Sequence, residues 1–181
     1  MKKILLFTAI LFASITMVTG QTASDEATLT VRLHAIQSIV VNPIQKINFL
    51  DYITTDNYKD GVSLVREDHL TIFSTGAFIV QVASDVNEIQ SVGSGIGTIS
   101  ASTIKIKAEK GSTQPLGGTT LGNISLSTTA TNLISSSIGG VDKNFNITYS
   151  GLGANGYVNS YFNGENPTVY TTTVTYTITP S

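Results

Sequence analysis

"TVYTTTVTYTITPS", residues 168–181, decides the fold class. From Thr173 on, Val174, Tyr176 and Ile178 alternate with Thr173, Thr175, Thr177 and Thr179. A period of two places one set on each face of an extended chain, so this is a strand with one dry and one wet side. Threonine suits the wet side, because its branched Cβ is stiff in χ1 and favours extended backbone while its hydroxyl keeps that face polar.

The same alternation recurs outward from this end. "ATLTVRLH", residues 27–34, sets Ala27, Leu29, Val31 and Leu33 against Thr28, Thr30, Arg32 and His34, and predicts a first strand. "IQSIVV" follows and is stopped at Asn42-Pro43, since proline has no N–H for a ladder. "KINFL", "HLTIF", "FIVQVAS", "IKIKAEK", "NISLS", "NLISSS" and "FNITYS" read as further strands. Ser74-Thr75-Gly76 joins two of them as a hairpin or as a bent strand with a bulge. "LGGTTLG", "GLGANG" and the Asn-Gly and Asn-Pro steps of "YVNSYFNGENP" read as turns. No fixed-period repeat is visible, which argues against a solenoid or propeller.

Composition agrees with an all-β chain. Serine and threonine make up roughly a quarter of the residues, well above an average domain. Charged residues are only 12%, too few for long solvent-facing helices. Short strands and abundant turn residues predict an antiparallel, immunoglobulin-like β-sandwich, with a β-barrel as the alternative.

The first twenty residues read as a signal peptide: "MKK", the apolar run "ILLFTAILFASITMV", then Val18 and Gly20 before a cut ahead of Gln21. The expectation is an exported chain (extracellular, cell-surface or periplasmic) with residues 21–181 as one domain and no transmembrane segment. Loss of Lys2 and Lys3 moves the formal charge from −2 to −4, and the remaining cations form no basic stripe, so nucleic acid is not an expected partner. The sequence has no cysteine, which excludes both disulfides and a lipid-modified cysteine.

Three stretches, "ATLTVRLHAIQSIVV", "HLTIFSTGAFIVQV" and "YTTTVTYTIT", together resemble exported bacterial sandwich domains such as spore coat protein U and pilin-like subunits. The last is also similar to the closing strand of the WxL cell-wall-binding domain, with Tyr176, Thr177 and Ile178 at the matching places. The resemblance implies a structural or adhesive sandwich without catalytic activity.

Chemistry-bearing residues are sparse. "DNYKDGVSLVRE", residues 56–67, puts Asp60, Gly61 and Glu67 at the fifth, sixth and twelfth places of an EF-hand-like loop. Tyr58 occupies the third, ligating place, and strand-like segments flank the stretch, so a surface turn is expected, not a calcium site formed with Asp51. His34 is expected on the wet face of the first strand, and His69 in a solvated charge cluster with Arg66, Glu67 and Asp68. Adjacent residues on a strand face opposite ways, so Asp68 and His69 are not expected to pair. "GSGIG" from Gly93 has neither phosphate-loop nor nucleophile-elbow spacing and reads as a turn. The triplets at Asn123 and Asn146 match a glycosylation pattern but are taken as chance in a bacterial context. Tyr157, Tyr161 and Tyr170 are expected mainly in packing, with stacking on a sugar as the functional alternative.

The sequence therefore predicts no enzyme, no catalytic, cofactor-binding or metal residues, and no cofactor. The expected function is a structural or adhesive subunit of a bacterial surface, coat or pilus-like assembly, its partners being other surface or appendage subunits. The alternative is a carbohydrate- or cell-wall-binding module whose partner is a cell-surface glycan.

Overall fold

A computed structural model describes residues 23–93, 97–113, 116–162 and 166–181. The expected signal peptide and the centre of "GSGIG" lie outside the described residues. The chain divides into two units, Met1–Arg32 and Leu33–Ser181. In the first, residues 23–32 carry neither strand nor helix, and every one is exposed. The strand expected over "ATLTVRLH" is therefore absent, although its alternation is intact.

The second unit is built on antiparallel sheets. Its strands are β1 (Gln37–Val41), β2 (Ser63–Ser74), β3 (Phe78–Ser84), β4 (Glu88–Gln90), β5 (Thr98–Ser100), β6 (Lys105–Lys110), β7 (Thr119–Leu121), β8 (Asn123–Ser125), β9 (Thr131–Ser136), β10 (Gly140–Ser150) and β11 (Val174–Pro180). One sheet has the order β1-β2-β10-β6-β8 and a second β11-β3-β9-β7, while β4 and β5 pair apart from both. Neither large sheet closes on itself, so this is a sandwich and not the alternative barrel.

Alternation positions the core. Leu70, Ile72, Ile106, Phe145 and Ile147 from the five-stranded sheet and Phe78, Val80, Val82, Leu133 and Ile134 from the four-stranded sheet are all buried in one cluster. On β11 the period-two reading holds: Val174, Tyr176 and Ile178 pack against the core, while Thr175 and Thr177 are exposed. Ser74-Thr75-Gly76 is no hairpin. It carries the chain from β2 in one sheet to β3 in the other.

Two expectations fail between β1 and β2. "KINFL" forms no strand, because Pro43 starts a 3-10 turn, Pro43–Gln45, that lifts the chain off the ladder. The acidic segment is not a simple turn but begins with a six-residue helix α1 (Thr55–Asp60). Thr54 caps it by accepting from the Asn57 amide at 3.3 Å, and the Asn57 side chain accepts in return from the Thr54 amide at 2.9 Å. Gly61, at φ 85°, ends it, and its N–H reaches the Asn57 carbonyl at 2.9 Å.

Candidate functional site

The EF-hand-like stretch is divided between two elements. Asp56, Tyr58 and Asp60 belong to α1, whereas Glu67 lies in β2, which starts at Ser63. A loop that is half helix and half strand does not wrap a cation. Among the described residues, no three His, Asp or Glu side chains come together as a metal site. The Tyr58 ring instead leans on Tyr52 at a centroid separation of 5.3 Å.

His69 is where sequence reading missed most. It is not solvated but buried, at 1% exposure. The cause is a bulge in β2: Phe145 faces Leu70 and Ile147 faces Arg66, so Glu67, Asp68 and His69 together oppose Asn146. Asp68 absorbs the irregularity at φ 48°, and its amide donates to the Asn146 side chain at 2.8 Å. The bulge turns both His69 and Leu70 inward, which strict alternation forbids. The Asp68 carboxylate points away, accepting from the Ser112 amide at 2.8 Å and the Ser112 hydroxyl at 2.6 Å. Those bonds hold it below the usual carboxylate range.

Around His69 the polar groups form a chain. Its Nδ1 lies 3.0 Å from Oε1 of Gln45, a pure acceptor, so Nδ1 carries the proton. Nε2 must then accept, and its partner at 2.8 Å is the Tyr149 hydroxyl. Tyr149 in turn accepts from the Tyr176 hydroxyl, also 2.8 Å away. The line Tyr176 to Tyr149 to His69 to Gln45 thus joins β11 in one sheet with β10 and β2 in the other and with the 3-10 turn. The Gln45 amide extends it, donating to the Glu67 carbonyl at 3.0 Å. Burial, with the Arg66 charge adding to it, pushes His69 down to about 4. Burial likewise raises both tyrosines above the ordinary phenol range. Every group in the chain is neutral at pH 7. In the structure the chain joins elements, linking the two sheets to each other and to the 3-10 turn.

His34, by contrast, is exposed, and its carbonyl accepts from the Thr75 hydroxyl at 3.5 Å. Of the late tyrosines, Tyr157 packs edge-on to Tyr52 at 5.1 Å and its hydroxyl lies 2.6 Å from that of Thr103. The Tyr170 hydroxyl donates to the Ser160 carbonyl at 2.7 Å. Tyr161 is 49% exposed. The hydroxyls of Tyr157 and Tyr170 are thus engaged in internal bonds.

The remaining feature is an open seam. β1 and β11, each an edge strand, touch across the sandwich. The Asn42 amide donates to the His69 carbonyl and the Thr75 amide to the Ile36 carbonyl, so even-numbered residues of β1 bond β2. Gln37, Ile39 and Val41 turn their N–H and C=O outward. By the same reasoning, bonds from Asp85 to Thr173 and from Ser181 to Ala77 leave Val174, Tyr176 and Ile178 with outward-facing main-chain groups on β11. Among the described residues no main-chain partner occupies either edge. No known protein-family model matches this sequence, and a search of curated proteins finds none similar to it.

Proposed function

We propose that this protein is a non-enzymatic, exported structural or adhesive subunit that assembles by adding its amino-terminal segment to the seam of a neighbouring copy. The observation that carries this reading is the exposure of Leu29, Val31 and Leu33, at 89%, 73% and 90%. They form one side of an alternating segment that carries no strand of its own. Burying three such side chains is worth about 1.5–3 kcal/mol each, enough to drive association of a short segment. A neighbour's seam offers what the segment lacks, unpaired main-chain groups on β1 and β11, and strand addition satisfies both. Export rests on the amino-terminal sequence pattern. The glycan-binding alternative has less support, because the hydroxyls of Tyr157 and Tyr170 are already engaged.

The test is size-exclusion chromatography with light scattering over a concentration series. The full chain should form concentration-dependent oligomers. Deleting residues 21–32 leaves the compact unit Leu33–Ser181 whole, so that variant should remain folded by circular dichroism, stay monomeric, and bind a synthetic peptide of residues 23–34. A full chain that stays monomeric at high concentration refutes the proposal.

A further inference from the structure

We propose that His69 is an acid-operated latch: its neutral ring clamps the segment Asn42–Thr54 against the five-stranded sheet, and protonation of the ring releases that segment. The segment is held differently from the rest of the sandwich. Beyond the Asn42 amide it has no ladder bonds to β2. Side chains attach it instead: Gln45 to His69 and to the Glu67 carbonyl, and Arg66 to the Asn48 side chain at 2.6 Å and the Ile47 carbonyl at 3.4 Å. Tyr52 adds a bond to the Leu152 carbonyl at 2.9 Å. Of its apolar residues Leu50 packs against the core, whereas Ile44, Ile47, Phe49 and Ile53 are 66–90% exposed. A cover with few buried contacts is the first part of a structure to open.

The surroundings of His69 offer a cation no counter-charge. From β10 it meets Tyr149, from β11 Tyr176, and from the 3-10 turn Gln45, all neutral. From its own strand the nearest charge is the like charge of Arg66. Glu67 is exposed on the other side of β2, and the Asp68 carboxylate is spent on Ser112. Protonated Nε2 becomes a donor, so the Tyr149 hydroxyl must turn toward Tyr176, and the Tyr176 proton then loses its acceptor. Two packed sheets close off the Nε2 side, so the ring reaches water most readily on the Nδ1 side, through the segment that Gln45 anchors. Release uncovers the Glu67 carbonyl and lengthens the open edge of β2. The latch does not depend on strand donation.

Hydrogen exchange of the purified protein at pH 7 and pH 5, corrected for intrinsic amide rates, tests this. With the ring at about 4 in the closed form and at an ordinary 6.5 in the open one, opening should rise about 20-fold from pH 7 to pH 5. Peptides covering residues 37–54 should lose protection by that factor, while those covering β7 and β9 change little. His69→Gln should abolish the pH dependence and His34→Gln should leave it intact. Equal protection at both pH values, or a dependence that survives H69Q, overturns the proposal. Should H69Q not fold, an NMR titration of the wild-type imidazole decides. A ring that charges together with loss of the 42–54 signals supports the latch, and one that charges without it overturns it.

Discussion

Removing the Tyr149 hydroxyl should cost more than removing the Tyr176 hydroxyl, and the two losses should not add. Tyr149 stands in the middle of the chain, accepting from Tyr176 and donating to His69, each at 2.8 Å. Tyr149→Phe therefore leaves two groups without partners: Nε2 of His69, in a residue 1% exposed, and the Tyr176 hydroxyl. At about 1–2 kcal/mol per buried orphan, the variant should lose roughly 2–4 kcal/mol. Tyr176→Phe removes only the terminal donor, because Tyr149 still donates to His69, and should cost roughly 0.5–1.5 kcal/mol. In the double variant the Tyr176 orphan created by Y149F no longer exists. Its loss should fall short of the sum of the single losses by about 1–2 kcal/mol. Urea unfolding followed by far-ultraviolet circular dichroism measures all three, and unchanged m-values would confirm that the comparison is between like states. Additivity within about 0.5 kcal/mol, or a larger loss for Y176F than for Y149F, would refute the directed chain.

Three further outcomes follow from the same structure. Global stability should fall as pH drops from about 6.5 to about 4: the folded His69 value lies below the unfolded one, so stability is complete above 6.5 and is lost as the unfolded state alone takes up the proton. Two and a half pH units at about 1.36 kcal/mol each give a loss of roughly 2–3 kcal/mol after allowance for relaxation of the site, measurable by urea titrations across that range. Asp68 and Asp85, both lowered by hydrogen bonds, should add their own losses only below about pH 4, as their carboxylates protonate. Gly61→Ala should destabilise by roughly 1–3 kcal/mol in thermal melts, since φ is 85° and the new Cβ would stand 2.9 Å from the Gly151 carbonyl oxygen. Calcium, and its removal by chelator, should leave the melting temperature unchanged; a chelator-sensitive melt would show that Asp56–Glu67 does bind the ion.

The class of fold was legible because much of the sandwich is written in a period of two, and β3, β6 and β11 fall where alternation places them. What alternation does not carry is the sheet each strand enters. Ser74-Thr75-Gly76 has hairpin chemistry yet crosses between sheets, a choice made by the core that Phe78, Val80 and Val82 share with Leu133 and Ile134. Nor does it carry a bulge. "REDHL" reads as polar and solvated, and only the shifted register opposite Asn146 brings His69 inside. The inward pattern Leu70, Ile72, Ser74 was visible in the sequence, but it predicts Asp68 as the next inward residue, not His69. "KINFL" fails because the 3-10 turn begun at Pro43 takes the chain off the ladder, and Gln45 in that turn then bonds the Glu67 carbonyl.

The misplaced first strand teaches something different, because there the local reading was sound. Ala27 to His34 alternates as cleanly as β11, with a branched or aliphatic side chain at nearly every inward place. β11 becomes a strand because β3 lies beside it, register for register from Val174 opposite Ser84 to Pro180 opposite Phe78. The amino-terminal segment alternates likewise, yet its described residues, 23–34, form no strand. Strand propensity is a statement about fit to a pleated, half-buried surface, and it does not say whose surface. An exposed edge is ordinarily blunted by charge, bulge or proline. β11 has one such device, Pro180 at its end, and otherwise shows Val174, Tyr176 and Ile178 to the seam, while β1 shows Gln37, Ile39 and Val41. An alternating segment that forms no strand and two edges blunted only by Pro180 are the two features on which the proposed strand addition rests.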